Sequence, residues 1–490
     1  MPFSVDIIYP GSLTGSENYA SEPPLGPLAL YSAVPADWRA SMRFLDSTLL
    51  TDDQIEREMQ SKRAAIVALS CTTYNYGNVI RLARVAKQYG AAVVVGGIHI
   101  THLRDQVIAR MASGERPFDY LIYGAGEPGF SRLLCALEGY GEFAEIPGLV
   151  YVRNGSPIAN PPARERWRSD PLEAPLDFGQ IDFQSYFARF QRFGNLSDIT
   201  LAAPMFTQRG CVYGGNRKCV FCSIEHANPK VPAKLIEENI VNLVANHGVD
   251  HIRISDGDFT VSPSHMSMVA NAVERAVARI GKRPTFYCFA RADEIDETRI
   301  RLLRRINVVA VFIGYESGSD EMLRTMHKFT TVDQNLRATG LLHDAGIDVT
   351  CGGLVLGGPG ESHHSLRETL SFAKVLSRHE NVRSFVATPL IPLPGSPSFE
   401  HLLFRLQAVN KSKWRLWRHA DDFDIQELVM QWNRYMCRIS LDDLLSAAEE
   451  IAEFFPIGIK LMRFKDNEHT NSESTSEATA SGLNQETFTK

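Results

Sequence analysis

The stretch Cys211-Val-Tyr-Gly-Gly-Asn-Arg-Lys-Cys219-Val-Phe-Cys222 decides how this chain is read. It follows an apolar run, Leu201 to Phe206, closed by Thr207-Gln-Arg-Gly210. Three thiols share one loop, and the next cysteine along the chain is Cys288. A structural zinc site closes with four ligands, and an iron–sulfur cubane also commonly takes four cysteines. Three cysteines leave one cubane iron without a protein ligand. That iron can take a small molecule, as catalytic metal sites do. Gly214 and Gly215 let the spacer wrap a bulky group without steric penalty. Two plainer readings compete: His226 completes a zinc knuckle, or the thiols are buried packing residues. Thiols this dense in a loop rarely serve packing.

Outward from the loop, strand-like runs recur on the C-terminal side. They are Leu201–Phe206, His251–Ser255, Thr285–Ala290, Val308–Ile313, Val349–Leu356 and Arg383–Thr388. Helical patterns separate them at Ala233–Asn246, His265–Ile280, Glu297–Arg305, Asp333–Ala345 and His364–Ser377. Six parallel strands with intervening helices predict a partial (β/α)6 barrel over 201–396, with its chemistry at the carboxyl ends of the strands. The cysteine loop lies just past the first of them. Cys288 and Cys351 could point into the lumen, although a small buried apolar role is the ordinary one; Cys71, Cys135 and Cys437 read as structural.

On the N-terminal side, residues 1–140 predict a Rossmann-like α/β domain. Val5–Tyr9, Met42–Leu45, Ala65–Ser70, Ala92–Val95 and Tyr120–Tyr123 read as strands, and Val79–Tyr89, Leu103–Ala112 and Phe130–Leu137 as helices. Such alternation argues a parallel sheet with ligands beyond the strand ends. The loops there are Ser70-Cys-Thr-Thr-Tyr-Asn75, Gly96-Gly-Ile-His99 and Gly124-Ala-Gly-Glu127. Their small residues allow close approach to a flat ligand or a phosphate, although glycines after buried strands also serve tight turns. Residues 141–200 form a proline-broken linker with one hairpin strand, Pro147–Val152, expected to cross the surface. Residues 397–465 predict a small helical region carrying Trp414, Trp417, Trp432 and Tyr435, expected to pack against the barrel. Residues 466–490 have too few apolar groups to order themselves.

Composition sets outer bounds. A net charge of −6 with no long basic run excludes duplex nucleic acid as an evident partner. No apolar run approaches the ~18 residues of a membrane span, and the N-terminus lacks the pattern of a signal peptide. Eight cysteines in 490 residues do not form a disulfide framework, so a reducing, cytoplasmic compartment is expected.

Taken together, these pieces resemble the cobalamin-binding-domain radical S-adenosylmethionine (SAM) enzymes, up to about Ser398. The first domain matches through Pro23-Pro-Leu-Gly-Pro-Leu-Ala-Leu30, Gly96-Gly-Ile-His99 and Gly124-Ala-Gly-Glu127. The barrel matches through Asp256-Gly-Asp-Phe-Thr260, Arg291-Ala-Asp293, Gly314-Tyr-Glu-Ser-Gly-Ser-Asp320, Leu356-Gly-Gly-Pro-Gly-Glu361 and Pro392-Leu-Pro-Gly-Ser396. Most members have three residues between the first two cysteines. This chain has seven, Val212 to Lys218, a spacing that resembles ribosomal-peptide maturation members.

The resemblance implies that Cys211, Cys219 and Cys222 hold a [4Fe-4S] cluster whose open iron is chelated by SAM. It implies Asp256 and Asp258 at the methionine part of SAM, Glu316 and Ser317 near the ribose, and Leu356, Gly357 and Phe221 around the adenine. For Asp258 and Glu316 the plainer role is a solvated or helix-capping carboxylate. It implies cobalamin among Gly97, Gly124, Gly126 and Glu127, but the family's cobalt-ligating Asp-x-His-x-x-Gly is missing. His99 is a stand-in whose plainer role is a loop histidine making backbone hydrogen bonds, and Tyr74 and Asn75 are candidates for lining the lower cobalamin face. The implied activity is carbon methylation of a peptide or small natural-product precursor, through a 5'-deoxyadenosyl radical and methylcobalamin, with an external electron donor such as flavodoxin or ferredoxin. The alternatives are a non-methylating rearrangement or cyclisation on the same fold, and a zinc-dependent binding module.

Overall fold

A computed structural model describes residues 3–12, 22–113, 117–162, 175–191, 202–226, 229–409, 424–455 and 457–459. Trp414, Trp417 and the tail 466–490 lie outside them.

The first sheet holds β1 (Val5–Tyr9), β2 (Met42–Asp46), β3 (Ile66–Ser70), β4 (Ala92–Gly96) and β5 (Tyr120–Ile122), all parallel, in the order 2-1-3-4-5. Its strands are continuous apolar runs because helices cover both faces. Ile8, Val67, Val93 and Val95 point into one buried layer, and Val5, Ile7, Ile66, Ala68 and Val94 into the other. The order reverses between β1 and β3, so a crevice opens at the strand ends there.

Two antiparallel strands, β6 (Leu149–Arg153) and β7 (Ser156–Ala159), extend this sheet beyond β5. The hairpin assigned to the linker is therefore built into the first sheet. The helix Asp52–Lys62, absent from the sequence prediction, is signalled by a capping box in which Thr51 and Gln54 satisfy each other's backbone N–H. The Pro23–Leu30 motif opens another unpredicted helix, Leu25–Ala33. Its Leu28 and Ala29 enter the barrel's core while Tyr31 enters the first domain's.

The linker does more than cross the surface. Leu176, Phe178 and Tyr186 are buried in the barrel's core cluster. Gln180 donates to Met42 O at 2.8 Å and accepts from Phe44 N at 3.2 Å, pairing the edge strand β2. The burial of three large apolar side chains outweighs the proline-rich composition.

The second sheet runs in chain order through β8 (Ala202–Met205), β9 (His251–Ile254), β10 (Thr285–Ala290), β11 (Val308–Glu316), β12 (Asp348–Leu356), β13 (Ser384–Pro389) and β14 (Ile457–Ile459). All neighbours are parallel, giving an open half-barrel. The strand β14 comes from the region expected to be wholly helical, and it covers the β13 edge. Helices Pro397–Val409, Ile425–Met436 and Leu441–Glu453 precede it. Along β10, Phe286, Cys288 and Ala290 pack between sheet and helices, whereas Tyr287 and Phe289 alternate to the concave face. Cys288 is thus a core residue, not a lumen one.

Candidate functional site

The cysteine loop is anchored at its base by Asp256. Thr207 N and Gln208 N donate to Asp256 Oδ1 at 2.7 and 3.1 Å, and Thr207 Oγ1 to Oδ2 at 2.5 Å. Complete burial pushes the carboxyl up to about 7 despite these three donated bonds. Asp256 was expected to contact SAM; it is turned inward and ties the β8 and β9 ends together.

Further along, Gly214 lies beneath the His226 ring, so any Cβ there would strike it. Val220 is held on both sides, its N donating to Met326 O at 2.9 Å and its O accepting from Ser398 N at 2.8 Å. Lys218 Nζ donates to Gly395 O at 2.8 Å. Burial raises all three thiols, Cys222 up to about 11, and Cys219 and Cys211 both act on Cys222. Yet among the described residues no three His, Cys, Asp or Glu are spaced to hold one metal ion. The His226 side chain of the zinc alternative is exposed and stacked on Gly214.

Around the loop stands a polar network. Thr260 N and Oγ1 each donate to Asp258 Oδ1 at 3.2 Å, while buried Asp258 Oδ2 has no partner among the described residues. Burial first, then the Glu294 charge, lifts the Asp258 carboxyl to about 7. An acceptor oxygen left without a donor in a buried site suits a ligand that brings one. Glu294 accepts from Thr260 Oγ1 and Tyr213 OH, both at 2.8 Å. Arg291 chelates Asp293 at 3.0 and 3.2 Å and lies 4.3 Å from the Tyr213 ring centroid. Tyr213, Glu294 and Lys328 carry no motif signal that assigns them a site role. Arg291 stood inside a quoted motif without an assigned role.

Glu316 forms a buried ion pair with Lys328 (2.9 Å) and takes a left-handed backbone, φ +65°. Ser317, expected near a ribose, is spent on the scaffold: its Oγ lies 2.9 Å from Thr369 Oγ1 and accepts from Ser319 N at 3.1 Å. Leu356 is buried in the core, and Gly357 O is capped by Trp432 Nε1 at 2.7 Å and the Cys437 thiol at 3.3 Å. That loop is therefore braced against the C-terminal helices. Phe221 packs in a satellite core with Leu103, Leu390, Phe399 and Trp432. Trp432→Ala should lower the unfolding free energy by about 3–5 kcal/mol, since it empties a buried ring's volume and strands a carbonyl. Denaturant titration reads this, with Trp432→Phe costing less.

The first sheet's carboxyl ends face this loop. Arg209, two residues before Cys211, ion-pairs with Glu127 in the first turn of the helix Gly126–Leu137. The His102 ring nitrogen Nε2 meets Ser223 O at 2.9 Å, and the ring fills the space that a Cβ on Gly395 would need. Between the domains lies a cavity of about 180 Å³, lined by Ser70, Gly96, Gly97, Gly124, Gly126, Glu127 and Arg209 among others. Gly97 (φ +121°) sits on the Cys71 backbone, where no side chain fits. A cleft floored by glycines beyond a switch point is suited to a large flat cofactor.

Tyr74 stands partly exposed beside these loops. Asn75 does not line the cleft: its Oδ1 accepts from Thr72 N at 2.7 Å and its Nδ2 donates to Pro10 O and Ser70 O, both at 3.1 Å. It braces the loops after β1 and β3. His99 is buried, with Nδ1 3.1 Å from Thr73 Oγ1 and its ring 4.2 Å from that of Tyr76. His99 stands in the short helix Ile98–His102 and its Nδ1 meets a side chain, so the plainer reading of a loop histidine making backbone hydrogen bonds is revised.

Comparison with known proteins agrees with this geometry. The B12 binding domain model matches residues 17–134 and the Radical SAM superfamily model residues 205–373. The chain carries both domains, and with them the cofactor set of SAM, a [4Fe-4S] cluster and cobalamin. An uncharacterized methyltransferase of Pyrococcus horikoshii is 24% identical over 84% of this chain and 81% of its own length. An anaerobic magnesium-protoporphyrin IX monomethyl ester cyclase of Rubrivivax gelatinosus is 26% identical over 74% of this chain, which spans only 63% of that protein. Among solved structures, the radical SAM methyltransferase TsrM of Kitasatospora setae, with cobalamin and a [4Fe-4S] cluster bound, superposes with TM-score 0.68. It is 16% identical over 97% of this chain and 94% of its own. The cobalamin-dependent radical SAM enzyme OxsB superposes with TM-score 0.61 and 18% identity over 93% of this chain and 57% of its own. Among the described residues no helix is long and apolar enough to cross a membrane.

Proposed function

We propose that this chain, with its B12-binding and radical SAM domains, methylates an unactivated carbon of a peptide or small natural-product precursor, drawing electrons from a donor such as flavodoxin or ferredoxin. The observation that carries the proposal is the Arg209–Glu127 ion pair. It holds the cofactor-facing loops of the first sheet against the residues that lead into Cys211. When bound, the cluster with SAM supplies one-electron chemistry and cobalamin a transferable methyl group. The chain positions the two. Cys211, Cys219 and Cys222 supply three thiolates and leave one coordination position open. Asp258 Oδ2 offers an acceptor to a SAM ammonium. Tyr287, Phe289 and Phe312 give the concave face an aromatic lining, with the last two rings 5.3 Å apart, which helps exclude water from reactive species.

A second reading, non-methylating cyclisation, is favoured by the cyclase names among the relatives. Anaerobic protein, reconstituted with iron, sulfide and cobalamin and then reduced, should be given SAM labelled on its methyl carbon. Label on the protein-bound cobalamin together with S-adenosylhomocysteine is the expected result. Formation of 5'-deoxyadenosine with neither would support cyclisation, and failure to take up iron and sulfide would overturn both.

A further inference from the structure

One corner of the cysteine loop is set among buried cations. Val220 N donates to Met326 O at 2.9 Å, which brings the segment His327–Thr330 alongside Cys219. That segment bends sharply, with φ of +55° at His327 and +56° at Phe329, and the bend turns Lys328 inward to 7% exposure. Lys328 Nζ donates to Glu316 Oε1 at 2.9 Å. Gly314 is the cradle for this pair. A Cβ there would overlap Glu316 Oε1 and stand 3.1 Å from Lys328 Nζ. Arg291, also buried, donates from Nη2 to Lys328 O at 2.6 Å. The anions nearby are Glu316, Asp293, Asp258 and Glu294.

This arrangement is costly. A buried ion pair stabilises less than its Coulomb energy suggests, because desolvation offsets it. A left-handed glutamate and two further positive-φ residues add backbone strain. A cation next to a cluster ligand, however, favours the form of the cluster that carries one more electron.

We propose that Lys328 is a tuning residue that raises the reduction potential of a cluster held by Cys211, Cys219 and Cys222, and that Glu316 opposes it by screening the charge. The proposal rests on the cluster reading of the site, and not on whether the product is methylated.

The test is a redox titration of the reconstituted cluster in the full-length protein without SAM, followed by electron paramagnetic resonance. Lys328→Met should make reduction at least about tenfold less favourable, which for one electron is about 59 mV more negative. Glu316→Gln should move the potential the opposite way, since it leaves the lysine unscreened. A merely structural pair would move both variants in the same direction or neither, and that result would overturn the proposal. So would an unchanged potential in Lys328→Met accompanied by weakened SAM binding, which would make the lysine a SAM contact. The double variant Lys328→Met/Glu316→Gln removes both charges and guards against misfolding; it should lie between the two single variants. If the unaltered protein takes up no cluster, the site reading itself fails. If the cluster forms and the potentials hold still, only the tuning role fails.

Discussion

Cys219→Ser should abolish the brown iron–sulfur absorbance and cut SAM cleavage by more than the roughly 10–100-fold that outer-shell partners alone command at metal sites. Serine keeps the shape of the side chain but offers an alkoxide donor far weaker for iron than thiolate. The fold should survive, because the loop is held independently through Thr207–Asp256, Val220–Met326 and Lys218–Gly395. Iron and sulfide analysis beside a thermal melt checks both halves. A variant that keeps a full cluster would mean that another side chain supplies the third ligand.

Gly97→Ala should be the most damaging single methyl group in the first domain. At φ +121° and ψ −179° the backbone lies where essentially only glycine is stable. The added Cβ would overlap Cys71 O and come within 2.9 Å of Cys71 N. Neither atom can retreat, because Cys71 N donates to Gly96 O at 2.7 Å, which locks β3 to β4. The expected loss is on the order of 3 kcal/mol or more in unfolding free energy. Cobalamin retention on gel filtration should fall with it, since Gly97 floors the interdomain cleft. Gly139→Ala is the control: φ is positive there too (+89°), but a Cβ would meet nothing within 4 Å, so strain without a clash should cost less and leave cobalamin bound.

The site residues divide by what they face. Asp258 keeps an unspent oxygen, and Gly97, Gly124, Gly126 and Glu127 line the cleft. Asp256, Asn75, Ser317 and Gly357 belong to the right loops but turn their polar atoms into the scaffold. A loop motif identifies which residues stand near a ligand, yet not which of them it touches. That depends on partners 49, 52 and 75 positions away for Asp256, Ser317 and Gly357. Burial pulls each polar group toward a distant donor or acceptor, because leaving it unpaired costs about 1–3 kcal/mol.

By itself the amino-acid sequence determined the run of parallel strands, the division into two α/β units and the three-thiol loop at the head of the second. Those follow from apolar periodicity and covalent spacing, which act over a few residues. Only the tertiary structure decided that the linker is core, that β14 closes an edge, that Trp432 braces the Gly357 loop and that Lys328 stands beside Cys219. Each depends on contacts between segments far apart in the chain, where desolvation and close packing choose the partner and no local pattern records the choice.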